Sequence, residues 1–228
     1  MNQAVFCMNS SNLLKRIVLA AAALTFAMGV HAGPTVFNEP AAPGTGDLLG
    51  TALNAGSASS GLIINGNLLD GRGQAPNVSD LYKFSIVSAS RYDFTSVGSL
   101  VSDLQLFLFD STGNGLYFSN LTGGSITQGS FTIDSLGIGD YYIGVSFFGV
   151  DPFDTANNAL FDTLGPTQGS GMAGALALDS WLNASAFNQP GARWDISGYS
   201  VSISVPEPGA LSLALLALVL MGAARRRA

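Results

Sequence analysis

The chain has 228 residues, a formal net charge of −6, and only 11% of its residues are charged. Its one cysteine, Cys7, and its one histidine, His31, both lie in the first 32 residues. A mature chain beginning at residue 33 has neither, which excludes disulfides, Ser-His-Asp and Cys-His catalysis, and histidine-bound zinc.

At the N-terminus, Lys15 and Arg16 precede an apolar stretch over 17–30, and Val30-His31-Ala32 satisfies the small-x-small rule for signal peptidase. The pattern predicts a signal peptide over 1–32, cut after Ala32. The alternative is an uncleaved N-terminal anchor. Met8 gives a more ordinary basic region before the apolar stretch than Met1 does, so either methionine can be the start.

Residues 33–59 are rich in Pro, Gly and Ala and lack periodicity, which predicts an N-terminal arm with a short strand near 47–53. From residue 60 the pattern is that of strands. Residues 61–69 end in the turn cluster Asp70-Gly71-Arg72-Gly73. Tyr82, Phe84 and Ile86 alternate with Lys83, Ser85 and Val87, the period of a half-buried strand, and Tyr92 and Phe94 continue it. Residues 103–110 read Asp-Leu-Gln-Leu-Phe-Leu-Phe-Asp, apolar on nearly both faces and therefore central. The turn signal Ser111-Thr112-Gly113-Asn114-Gly115 follows, with the partner strand at 116–120. Further strands are expected at 130–133 and 141–148. Tyr199, Val201, Ile203 and Val205 alternate with serines in the last strand.

Between 33 and 205 there are thirteen aspartates and a single glutamate, the balance of acids placed in turns and not on helix faces. Four basic residues stand against fourteen acidic ones, a net of −10 that argues against nucleic acid as a partner. The expected fold is an all-β, antiparallel, jelly-roll-like β-sandwich over 60–205, with a long loop insertion at about 149–192 holding one short strand or helical turn.

That insertion carries Asp151, Asp154, Asn157, Asn158 and Asp162. Calcium takes oxygen ligands of this kind, so Asp151, Asp154 and Asp162 are the first candidate calcium ligands, with Asp70, Asn77 and Asp80 second. The competing reading is that these side chains cap their own turns. Trp181, Trp194 and Tyr199 are either a sugar-stacking platform or core aromatics. Two aspartates could serve a glycosidase, but nothing singles out one pair. The body is expected to be non-catalytic.

The last 24 residues differ from everything before them. Pro206-Glu207-Pro208 holds an extended backbone, since each proline restricts the residue before it. A charge-free apolar run over 209–224 follows, then Arg225-Arg226-Arg227. As a helix the run is about 24 Å long. That is slightly short of the ~30 Å hydrocarbon core, a gap that snorkelling arginines or bilayer thinning would close. Arginines favour the cytoplasmic side, which predicts a transmembrane helix with its C-terminus in the cytoplasm and the body outside.

The order of tripeptide, apolar run and basic end resembles the PEP-CTERM sorting signal of Gram-negative bacteria. The resemblance implies that Pro206, Glu207 and Pro208 are the recognition element for exosortase, that 209–224 is the anchor, and that Arg225, Arg226 and Arg227 are the stop. It further implies processing at the membrane and passage to the cell surface or exterior, among exopolysaccharide. Over roughly 60–148 the body resembles the bacterial pre-peptidase C-terminal domain, a β-sandwich. The resemblance is carried by Asp80-Leu81-Tyr82-Lys83-Phe84, by 103–108, by Asp110-Ser111-Thr112-Gly113 and by Gly139-Asp140-Tyr141-Tyr142-Ile143-Gly144-Val145. That family accompanies secreted hydrolases, and none is attached here. The expectation is therefore a structural or adhesive component of an extracellular matrix or biofilm. Alternatives are a carbohydrate- or calcium-binding module and a secreted hydrolase.

Overall fold

Period-two alternation of aromatic and β-branched residues is what a two-layer β structure needs, because it gives each strand one face for a core. The computed structural model describes residues 33–40, 46–68, 77–98, 104–120, 129–147, 149–163, 168–182 and 198–206. The chain separates into two units, 1–32 and 33–228, and every described residue belongs to the second. The predicted signal peptide and apolar C-terminal run lie outside the described residues. Among the described residues no helix is long and apolar enough to cross a membrane.

One sheet has five strands in the order β1 (Thr35–Asn38), β3 (Leu62–Gly66), β13 (Tyr199–Ser204), β5 (Ser90–Gly98) and β8 (Ser130–Leu136). A second has six, in the order β11 (Gln168–Ser170), β7 (Gly115–Asn120), β6 (Leu104–Phe109), β9 (Gly139–Phe147), β4 (Ser79–Ile86) and β2 (Leu53–Ser57). A two-stranded ribbon pairs β10 (Asp151–Asp154) with β12 (Leu178–Leu182). The fold is all-β, as the alternation implies. The sheets are mixed, however, because β1 runs parallel to β3 and β2 parallel to β4.

The main core fills the space between the two large sheets. Leu62, Ile64, Tyr92, Phe94, Val201 and Ile203 enter from the five-stranded sheet. Tyr82, Phe84, Ile86, Leu104, Leu106, Leu108, Ile143 and Val145 enter from the other. A second core lies on the other face of the six-stranded sheet, where Leu81, Phe107, Phe109, Phe118 and Tyr142 are covered by Leu160, Phe161, Leu178 and Trp181. This explains why all six residues of β6 are buried. Leaving Phe107, Phe109 and Phe118 bare would forfeit roughly 5–9 kcal/mol, on the scale of a whole domain's ~5–15 kcal/mol. Most of the insertion is therefore a cover and not a loose loop.

Two segments differ from the expectation. The arm contains β1 and β2, and 47–51 is a turn and not a strand. β1 shows no alternation because it is a four-residue edge strand with a mostly exposed face. Phe37, edge-on to Tyr82 at 5.8 Å, is its one apolar tie. The insertion holds three short strands where one element was expected, because its aromatics are spaced irregularly to fit a sheet face and follow neither period.

β13 is hydrogen-bonded on both sides, to β3 and to β5, and buries Tyr199, Val201 and Ile203. Ile203→Ala is expected to destabilise the body by about 3 kcal/mol. Ending the chain after Pro206 should leave the thermal midpoint unchanged, and ending it before Tyr199 should abolish the cooperative transition. Circular dichroism melts check all three.

Candidate functional site

The C-terminal exit is built by β13. Its alternation turns Tyr199, Val201 and Ile203 inward and the three serines outward. Val205 packs half-buried against the core and Pro206 is exposed. Of the predicted recognition element only Pro206 is described. Glu207, Pro208, Arg225, Arg226, Arg227 and the predicted signal-peptidase site Ala32 lie outside the described residues.

Beside Ser204 the surface dips into an open groove of about 730 Å³, lined by residues that include Arg91, Asp93, Tyr117, Thr132 and Gln168. Asp93 is the one carboxylate in that lining. It accepts the Thr132 hydroxyl at 2.6 Å and faces the Arg91 guanidinium at 3.5 Å.

Among the described residues no three of Asp, Glu, His and Cys form a group able to hold a metal. Asp154 ends β10 and is buried. Its Oδ1 accepts the backbone N–H of Ala156 (2.9 Å) and of Asn158 (2.8 Å). Its Oδ2 accepts the Leu176 N–H (3.0 Å) and the Asn158 side-chain amide (3.1 Å). These donors, the Leu176 N–H foremost, pull its pKa down to about 2.

The same five-residue loop occurs at Asp110, whose carboxylate takes the N–H groups of Thr112 and Asn114 and the Asn114 amide. In both loops the fourth residue, Gly113 or Asn157, has positive φ, a conformation glycine and asparagine tolerate best. Asp154 thus serves its own turn and the approach to β12 at Leu176. Asp151 begins β10 and accepts the Gln105 amide at 3.3 Å, and burial pushes its carboxyl up. Asp162 is exposed.

The aromatic residues fall on the core side of the two readings. Tyr199 is buried, and Trp181 lies over the second core, edge-on to Phe107 and Phe109, with its indole N–H donated to the Asp47 carbonyl at 2.6 Å. Trp194 lies outside the described residues.

What the sequence did not predict is a buried acid–tyrosine cluster. Asp80, only 2% exposed, accepts the Tyr199 hydroxyl at 2.6 Å and the Asn77 amide at 3.0 Å. The Tyr82 and Tyr199 hydroxyls are 2.6 Å apart. Glu39, just after β1, accepts the Asn67 N–H at 2.8 Å and reaches the side chains of Tyr82 and Asp80. Gly66 leaves room for both phenols, since a Cβ there would collide with their oxygens. Burial first, and the neighbouring Glu39 charge second, push the Asp80 carboxyl up to about 8. Burial also raises Glu39 and holds both phenols protonated. Two carboxyl groups this near to each other in a buried site each disfavour the other's ionisation. The sequence signal was present in Asp80-x-Tyr82, but Glu39 and Tyr199 are too distant in the chain to be joined to it by inspection.

Residues 204–228 match the PEP-CTERM protein-sorting motif. No curated protein matches the chain. Among solved structures, the chain is similar to the pre-peptidase C-terminal domain of a collagenase from Bacillus anthracis, at 16% identity over 67% of this chain and 93% of that one, with a TM-score of 0.34. It is also similar to PliG of Aeromonas hydrophila, a periplasmic inhibitor of g-type lysozyme, at 10% identity over 76% and 97%, with a TM-score of 0.27. The sorting motif, which begins on the last residue of β13, implies export and membrane-anchored processing by an exosortase.

The cluster sets a pH dependence. The folded pKa of Asp80 lies above its unfolded value, so its contribution is complete below about pH 4 and is lost as pH rises toward about 8. Asp154 has the opposite sign and loses its contribution as pH falls from about 4 toward 2. In calcium-free buffer the melting temperature should fall from pH 5 to pH 8 (both about). Asp80→Asn should flatten that limb and leave the acid limb intact, as read by thermal melts across pH.

Proposed function

We propose that this chain is an exported surface protein, delivered to the outer side of the inner membrane and released by exosortase processing at its tail, whose β-sandwich is a non-catalytic structural or adhesive body among exopolysaccharide. The observation that carries the reading is the junction at residue 204. A fully paired central strand ends where the sorting motif begins, so the body is complete without its tail. Pro206, Glu207 and Pro208 act as the recognition element and Arg225, Arg226 and Arg227 as the cytoplasmic stop, while signal peptidase cuts after Ala32. The body's excess of acid keeps it soluble outside the cell and away from nucleic acid.

The non-catalytic part is supported by chemistry. With no histidine or cysteine after residue 32, Ser-His-Asp and Cys-His hydrolysis are unavailable, and hydrolysis of a glycoside would call for a carboxylate pair. The groove beside Ser204 has a single carboxylate in its lining, already held by Thr132 and Arg91.

Glu207→Ala is expected to block tail processing, so that mass spectrometry finds the 33–228 species accumulating in membranes while the parent protein appears in the culture supernatant without its apolar run. An unchanged supernatant species would remove Glu207 from the recognition element.

A second reading, calcium binding, is favoured at Asn77 and Asp80 over Asp151, Asp154 and Asp162. The Asn77 side-chain oxygen is buried without a hydrogen-bond partner beside Asp80, which is in contact with Glu39. A carboxylate pair and an amide oxygen suit a hard cation. Calcium at a hundred times its Kd would add about 2.7 kcal/mol, lost in Asn77→Ala. Melts that are identical with calcium and with chelator would eliminate this reading.

A further inference from the structure

The two ends of the described body leave it at one pole. β1 runs parallel to β3 with Thr35 beside Leu62, and β13 runs against β3 with Ile203 beside the same Leu62. Pro34 and Ser204 are therefore each one step beyond the same row. Their neighbourhood is visible at Gly61, where a Cβ would meet the Pro34 Cβ at 3.2 Å and the Ile203 carbonyl at 3.6 Å.

Three connections between the large sheets cross at this pole, over 58–61, 87–89 and 137–138. The first is tied to the second and to the end of β4 by hydrogen bonds from the Val87 N–H to the Ser59 hydroxyl and from the Ala58 N–H to the Ser85 carbonyl. Two of these connections carry the two most exposed large apolar side chains among the described residues, Val87 at 63% and Ile138 at 71%. Ile86 pairs with Gly139, so Val87 and Ile138 are the next residues outward on neighbouring strands. The cations behind this rim have acidic partners. Lys83 meets Asp140 at 2.7 Å, and Arg91 lies 3.5 Å from Asp93 and 3.6 Å from Asp134.

Chain length then fixes how far this pole can stand from a bilayer. Ser204 pairs with Asp93, and β5 runs three residues further outward to Ser90, about 10 Å. From Ser204 to the start of the apolar run at Gly209 is five residues, at most about 18 Å of chain. The run can therefore begin no more than about 8 Å beyond the rim. A headgroup layer is itself roughly 5–8 Å thick, so the tether keeps the rim inside that layer.

From this geometry we infer that the pole bearing Val87 and Ile138 is a lipid-docking surface, and that both side chains enter the interfacial layer of the bilayer while the tail is uncut. The inference rests on the reading of 209–224 as a membrane anchor. A valine and an isoleucine exposed on adjacent turns, with both nearby cations held by carboxylates, suit the apolar side of a headgroup region. On the opposite pole Val97, near the end of β5, serves as the reference.

The test uses the 33–228 chain, whose lack of cysteine lets a single thiol carry an environment-sensitive dye. V87C, I138C, V97C and L216C are labelled separately and reconstituted into phosphatidylethanolamine–phosphatidylglycerol vesicles containing acyl-chain spin-labelled lipid. The docked pole predicts strong quenching at V87C, I138C and L216C, with V97C left bright. Quenching at L216C with V87C and I138C as bright as V97C overturns the docking surface and leaves the anchor standing. This includes the case in which the two labels are shielded from a water-soluble quencher by a second copy of the chain. No quenching at L216C overturns the anchor and the docking surface together. Because V87C and I138C replace exposed side chains, a melt matching the parent confirms that each variant is folded.

Discussion

Residues 199–204 have a strand on each side. They pair with β3 along one edge and β5 along the other, and they place Tyr199, Val201 and Ile203 in the main core. Among the described residues no other segment joins the two halves of the five-stranded sheet. It is also the last segment of the body, with the sorting motif starting on its final residue. Packing, the acid–tyrosine cluster and the position of the tail all depend on this one placement.

The cluster extends the dependence across the sandwich. Tyr199 brings its hydroxyl from one sheet to Asp80 and Tyr82 on the other, while Glu39 arrives from the segment after β1. A single buried acid would be costly, and the bonds from Tyr199 and Asn77 to Asp80 and between the two phenols offset part of that cost. Gly66 is part of the device, because a larger residue would drive the two phenols apart.

The strands were legible in the sequence where one rule governed them. The 82–86 part of β4 and all of β13 alternate because there one face lies on the main core and the other is open. β6 was legible as central from its double-sided apolar run. The parallel edge strand β1 was not, since a short exposed strand has almost no side-chain pattern, and its pairing is carried by backbone groups that every residue has. The insertion is illegible for another reason. Leu160, Phe161, Leu178 and Trp181 cover a sheet face at angles of their own, so neither period applies. Of the functional residues, the tail could be read directly because its parts are contiguous. Glu39, Asp80 and Tyr199 could not, because the fold brings them together across more than a hundred positions. Asp154 was noticed for the right chemistry, oxygen ligation, yet its oxygens are spent on backbone donors of its own turn and of Leu176.

The placement of β13 also bears on biogenesis. A chain threaded outward from its N-terminus delivers β1 to β12 first, as two half-sheets with an open slot between β3 and β5. The slot closes only when residues 199–204 are available, and the sorting motif begins on the last of them. The strand that completes the body and the motif read by the processing enzyme are therefore made one after the other, so the signal becomes available only once the last strand of the fold exists.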